Sequence, residues 1–98
     1  MRLEVMSAFA ETLGMPGTSE EIISEQETGG DKSVRSLLNR LVTKYQYFGE
    51  TVFDSNTQKL TGRVIIFYNG RDLELSDGLE TKLGDGDTLT FVPFIVGG

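Results

Sequence analysis

The most suggestive chemistry in this sequence sits in residues 87–98, which read DTLTFVPFIVGG. The stretch begins as a strand, with Leu89 and Phe91 pointing one way and Thr88, Thr90 and Val92 the other. Pro93 ends it, because proline brings no backbone donor to a ladder. Beyond Pro93, residues 94–98 carry no polar side chain and no turn former before the glycines. They are expected to extend from the body by about 17 Å, at roughly 3.3 Å per residue, far enough to enter a partner's cleft. The arm ends in Gly97 and Gly98, neither with a Cβ, so the carboxylate of Gly98 rides on a thread without side-chain bulk. That shape suits a chain whose C-terminus is itself the reacting group. Chain ends are also often frayed, Gly-containing and without function. Against that stands the apolar run of Phe91, Val92, Phe94, Ile95 and Val96, which points to contact with another surface.

Composition narrows the classes of function. At 98 residues the chain is expected to form one domain with one modest core, residues 1–93, followed by the tail 94–98. A net charge of −6 argues against nucleic acid and against anionic membrane surfaces, and favours a basic partner face. Histidine and cysteine are both absent, which removes the commonest general base and metal ligand, any disulfide and any thiol of its own. A self-sufficient hydrolase or metalloenzyme is therefore not expected, and neither is a bound cofactor. No signal-like segment follows Met1 and no apolar run approaches the roughly 20 residues of a membrane span, so the expected address is the cytoplasm.

The elements that must hold the tail follow from periodicity. Residues 2–9 alternate, with Leu3 and Val5 on one side and Arg2, Glu4 and Met6 on the other, as a half-buried strand would. Residues 10–14 suit a helical turn, Pro16-Gly17 reverses the chain, and residues 19–28, with Ile22 and Ile23, read as a second, antiparallel strand. Ser33 is placed to cap a helix over residues 33–45, in which Val34, Leu37, Leu38, Leu41, Val42 and Tyr45 recur at helical spacing. Residues 50–62 are turn-rich, with Val52, Phe53 and Leu60 as attachments to the core. Residues 63–68 are apolar on both faces, as in a central strand. Asn69-Gly70 then predicts a type I′ hairpin returning through residues 71–75, and residues 79–84 leave room for one helical turn.

Two local patterns resemble ligand sites and fail on spacing. Gly29-Gly30-Asp31-Lys32-Ser33 lacks the phosphate-loop register and places an acid beside the lysine. Asp85-Gly86-Asp87 is too short for a calcium loop. Both read as turns. The order strand, strand, helix, strand, strand, strand predicts an α+β protein, a mixed sheet of about five strands crossed by one main helix. The last strand is expected at the centre, parallel to the first, which is the β-grasp, or ubiquitin-like, fold.

The stretch VIIFYNGRDLELSDGLETKLGDGDTLTFVPFIVGG resembles the C-terminal half of ubiquitin-like sulfur carriers of the MoaD/ThiS family, above all the small subunit of molybdopterin synthase. The matching pieces are the strand ending in Asn69-Gly70, Asp77-Gly78-Leu79, the Asp85-Gly86-Asp87 corner, the strand into Pro93, and Gly97-Gly98. Ser33 with Val34 to Leu38, and Val5 to Gly14, are similar to the family's capped helix and first strand. One position departs: where many molybdopterin-type members carry a second proline before the tail, this chain has Phe94.

The resemblance implies a carrier that is not itself an enzyme. A ThiF/MoeB-like adenylating enzyme would use ATP to activate Gly98, and sulfur would convert it to a thiocarboxylate. A MoaE-like molybdopterin synthase large subunit, or another sulfur-accepting enzyme, would then receive that sulfur. Expected contacts with these partners are Met6, Phe67 and Val92 on the sheet, with Phe67 alternatively a core residue, and Pro93, Phe94, Ile95 and Val96 along the tail, while Gly97 belongs with Gly98 to the reacting end, where a side chain would crowd the channel to the nucleotide. A carrier for thiamine or cysteine synthesis, a modifier joined to lysines, and a β-grasp interaction domain with an inert tail are the alternatives.

Overall fold

The computed structural model describes residues 1–20 and 32–94. Its main sheet has five strands, β1 (Arg2–Val5), β2 (Ser19–Glu20), β5 (Val64–Tyr68), β6 (Arg71–Asp72) and β7 (Thr88–Pro93), in the order β2-β1-β7-β5-β6. β7 is central, parallel to β1 and antiparallel to β5. The helix α2 (Val34–Lys44) crosses one face. This is the expected α+β, β-grasp arrangement, with the first and last strands side by side.

Helix α2 forms where the spacing predicts. Ser33 Oγ accepts from Ser36 N at 3.2 Å, satisfying one of the free donors of the first turn. Val34, Leu37, Leu38 and Leu41 are buried, and the core they enter contains Leu3 and Val5 of β1, Val64 and Ile66 of β5, and Leu89 and Phe91 of β7. Each large side chain so buried contributes about 1.5–3 kcal/mol gross. Val42, expected in the core, is only partly buried. Its Cγ1 lies 3.2 Å from where a Cβ on Gly49 would stand, beside the short helix α3 (Phe48–Thr51). Phe48 of α3 meets Phe91 edge to face, ring centroids 5.7 Å apart.

Several boundaries differ from expectation. The first strand stops at Val5, and residues 7–9 belong to a helix, α1 (Ser7–Leu13). Phe9, Ala10 and Leu13 are buried together, a helical spacing that overrides the weaker alternation, and Gly14 closes the helix at φ +72°. The second strand is confined to Ser19–Glu20 among the described residues, and the rest of the 19–28 prediction, with Ile22 and Ile23, lies outside them, as do Gly29, Gly30 and Asp31.

Within 50–62 a small hairpin forms, β3 (Phe53–Asp54) with β4 (Lys59–Leu60), anchored by buried Val52 and Phe53. The turn at Asn69-Gly70 has positive φ at both residues, 50° and 84°, as type I′ requires. Its return strand lasts only through Asp72, whose Oδ1 accepts from Glu74 N at 2.9 Å and turns the chain into a 3-10 turn over Leu73–Leu75. A second 3-10 turn, Gly78–Glu80, occupies the segment before the last strand.

Candidate functional site

The site is built at the two ends and one face of β7. At its start, the Asp87 carboxylate ties its own turn to the end of β5 and the hairpin that follows. Asp87 Oδ2 accepts from Gly84 N at 2.8 Å and from Tyr68 Oη at 3.0 Å, while Oδ1 accepts from Asn69 Nδ2 at 3.0 Å. Asn69 Oδ1 accepts in turn from Thr88 N at 2.8 Å, and Arg2 N donates to Asp87 O at 2.9 Å. Partial burial alone would raise the Asp87 pKa. The hydrogen bonds from Asn69, Gly84 and Tyr68 and the positive chain terminus outweigh it and hold the carboxyl below its ordinary value. Burial, the Asp87 hydrogen bond and the nearby carboxylate charge raise the Tyr68 phenol. The sequence presents Asp87 only as a turn residue; Gly84 belongs to that same turn, but Tyr68 and Asn69 arrive through the pairing of β5 with β7, which no local spacing reveals.

At its other end β7 closes with Pro93 and Phe94. Phe94 N donates to Arg63 O at 2.9 Å, the last ladder bond of β5 with β7. Because Phe94 directs its N–H at β5, the preceding Pro93 nitrogen faces the β1 side, where β1 has already ended at Val5 opposite Phe91. The missing donor of Pro93 therefore leaves no ladder acceptor unmatched. Phe94 is 52% exposed. Ile95, Val96, Gly97 and Gly98 lie outside the described residues.

The face of the sheet away from α2 joins the remaining expected residues. Ile65 is opposite Val92, Phe67 is opposite Thr90, and Glu4 is beside Thr90 from the other flank. Met6, one residue past β1 and 63% exposed, follows the pair Val5 and Phe91 and so falls beside Val92. Phe67 and Val92 are half-buried, whereas their strand neighbours Val64, Ile66, Leu89 and Phe91 are buried on the helix side. Phe67 is thus on the helix-free face and outside the core. A hollow of ≈ 200 Å³ opens here, lined by Glu4, Val5, Met6, Thr18, Thr90, Phe91 and Val92.

Ile65 belongs to the same face and was missed. The apolar run of residues 64–68 hides which positions point outward, and only the register with Val92 assigns it. Among the described residues the rim is of mixed sign: Glu4 lies 3.6 Å from Arg2 in an exposed pair, Asp72 stands opposite Phe67, and Arg63 flanks Phe94. Four acids, Glu21, Glu25, Glu27 and Asp31, fall outside the described residues.

Among the described residues no cluster of three or more His, Cys, Asp or Glu is placed to hold a metal, and no helix is long and apolar enough to cross a membrane.

Comparison with known proteins places this geometry. The ThiS family profile matches residues 13–98. The sulfur carrier protein CysO of Mycobacterium tuberculosis is 34% identical over 84 residues, covering 78% of this chain and 90% of that protein. In structure, the chain superimposes on CysO from the Amycolatopsis orientalis BexX/CysO complex with a TM-score of 0.71 at 21% identity, covering 99% of this chain and 98% of the other. It superimposes on small archaeal modifier protein 1 of Haloferax volcanii with a TM-score of 0.70 at 22% identity, with 97% of each chain covered. These two likenesses show the shared fold. The profile match, reaching through β7 to Gly98, and the CysO identity show descent as well: the chain belongs to the ThiS family.

Proposed function

We propose that this chain is a sulfur carrier that acts through the carboxylate of Gly98. The observation that carries the reading is the ThiS family match over residues 13–98, which spans the central strand and includes the Gly-Gly terminus. Sulfur carrier relatives at 34% identity support it.

A carboxylate is a poor electrophile. In the proposed cycle a ThiF/MoeB-like partner directs a Gly98 oxygen onto the α-phosphorus of ATP, releasing pyrophosphate and leaving an acyl adenylate. The terminal sulfur of a partner's persulfide then attacks the carbonyl and AMP departs, leaving an acyl disulfide, and a second partner thiol attacks the partner-side sulfur, forming a disulfide and releasing the carrier as its thiocarboxylate. ATP is the activating enzyme's substrate, and the carrier holds no cofactor of its own. Having no Cys and no His, it contributes the carbonyl and the docking surface, while its partners contribute nucleophile and base. This makes it a non-catalytic subunit rather than an enzyme, working where ATP is available, in the cytoplasm.

The docking surface in this reading is Met6, Ile65, Phe67 and Val92, continuous with Pro93 and Phe94 at the tail root, and with Ile95, Val96 and Gly97 leading to Gly98. The Asp87 cluster fixes the far end of β7, so the tail leaves a firmly held strand.

The proposed destination of the sulfur is a pterin precursor on a MoaE-like partner, as the resemblance to the molybdopterin synthase small subunit implies. A second destination, a small acceptor in cysteine or thiamine synthesis, is favoured by the identity to CysO. Attachment to lysines as a modifier is consistent with the fold shared with small archaeal modifier protein 1.

The test of activation is pyrophosphate release from ATP and the cognate adenylating enzyme. The full chain should support it, whereas deletion of Gly98 or addition of one residue, which moves the carboxylate by about 3.3 Å, should abolish it. Undiminished release with either altered chain would end this reading. Supplying the thiocarboxylated carrier to each acceptor system in turn then identifies the destination.

A further inference from the structure

We propose that Met6 is a site of reversible oxidation by peroxide, and that its sulfoxide weakens docking of the carrier to its adenylating partner. The inference rests on the docking face proposed above. The sequence contains three methionines and no cysteine, so thioethers are its only oxidisable sulfurs. Their burial differs sharply: Met1 and Met15 are 5% and 7% exposed, whereas Met6 is 63% exposed. Access to a dissolved oxidant is therefore concentrated on one side chain. That side chain also lines the hollow on the helix-free face, beside Val92 near the C-terminal end of β7.

The local backbone separates this chemistry from folding. Met6 is the N-cap of α1, but its side chain makes no capping hydrogen bond; its contribution there is the backbone carbonyl, which accepts from Ala10 N at 2.8 Å. In the oxidation a lone pair of the Met6 sulfur attacks one oxygen of hydrogen peroxide, the O–O bond breaks, the S–O bond forms, and water leaves. The sulfur loses two electrons and the peroxide gains them. The product replaces a flexible apolar group with a strongly polar acceptor. In the free carrier, water satisfies that oxygen. Against an apolar partner surface it loses the water without a replacement donor, and binding is expected to weaken about tenfold or more. A methionine sulfoxide reductase would restore the thioether, which makes the change reversible.

The experiment treats the full-length carrier with limiting hydrogen peroxide, removes the oxidant, and measures binding to the untreated adenylating enzyme. Peptide mapping locates the added oxygen, which is needed because exchange of oxygen for sulfur at Gly98 changes the mass almost equally. Oxygen should appear on Met6 well before Met1 or Met15, the oxidised carrier should bind about tenfold or more weakly, and sulfoxide reductase should return the starting affinity. Met6→Leu, compared with itself before and after peroxide, should show no change.

Oxidation of Met1 or Met15 as fast as Met6, unchanged binding after Met6 is fully oxidised, or an equal loss in Met6→Leu would each overturn the inference. Val92→Asp separates the two levels. If it binds as tightly as the parent chain, the docking face is wrong and this inference falls with it. If it binds weakly while the oxidised carrier binds normally, the face stands and only the role of Met6 is refuted.

Discussion

Replacing Val92 by aspartate tests the proposal that docking and folding depend on opposite faces of the same strand. Val92 is half-buried on the helix-free face opposite Ile65, while its neighbour Phe91 is fully buried under α2. Burying a valine completely is worth about 1.5 kcal/mol at the low end, so roughly half of that remains to be gained on docking. A carboxylate enclosed there without a counter-ion adds up to about 3 kcal/mol against the complex, less where water reaches it. The sum, about 2–4 kcal/mol, weakens binding about thirty- to seven-hundred-fold.

In the free carrier the aspartate stays in water. The loss is then the half of the valine's burial already gained, about 0.8 kcal/mol, and the poorer strand preference, at most about 1 kcal/mol, together a midpoint shift within about 8–16 °C for a domain of this size. Calorimetric titration against the adenylating enzyme and thermal unfolding of the free chain measure the two quantities. Leu89→Ala, on the buried face, should reverse the pattern, costing about 2–5 kcal/mol of stability while the folded fraction binds normally. Equal losses of stability and affinity in Val92→Asp, or full affinity, would show that this face has been misassigned.

Leu41→Ala removes a fully buried side chain of α2 and should cost about 2–5 kcal/mol in urea unfolding. Thr81 is buried and its Oγ1 has no hydrogen-bond partner among the described residues, so Thr81→Val should stabilise the domain by about 1 kcal/mol, read from the same denaturation midpoints. The Asp87 carboxyl titrates lower in the folded chain than in the unfolded one. Its stabilisation should be complete above about pH 4 and lost as pH falls through the folded value, and Asp87→Asn should flatten that acid limb of the stability profile.

The helix and the hairpin were legible because each is written locally. Ser33 followed by Val34, Leu37, Leu38 and Leu41 specifies a capped amphipathic helix, and Asn69-Gly70 specifies a turn that few other residues can make. Elsewhere two local periods compete. In residues 2–9 a strand alternation runs into Phe9, Ala10 and Leu13, and contact with the core selects the helix. Asp72 is a similar case, since its side chain ends β6 by capping the next turn, three residues before the apolar alternation stops. Of the proposed docking face, Met6 and Val92 were readable from alternation, whereas Phe67 stayed open between face and core and Ile65 was missed, because a strand apolar on both sides does not say which side is out. The Asp87 cluster was invisible for a different reason: its members are joined by the pairing of β5 with β7.

The central claim concerns the Gly98 carboxylate, and mass analysis of the C-terminal peptide tests it most directly. After incubation with ATP, the cognate adenylating enzyme and a sulfide or persulfide donor, that peptide should carry one sulfur in place of one oxygen. A chain lacking Gly98 should remain folded, with an unchanged melting curve, and show no such exchange. A C-terminal peptide that keeps both oxygens under these conditions, or a truncated chain that still replaces the carrier in cells, would contradict the account.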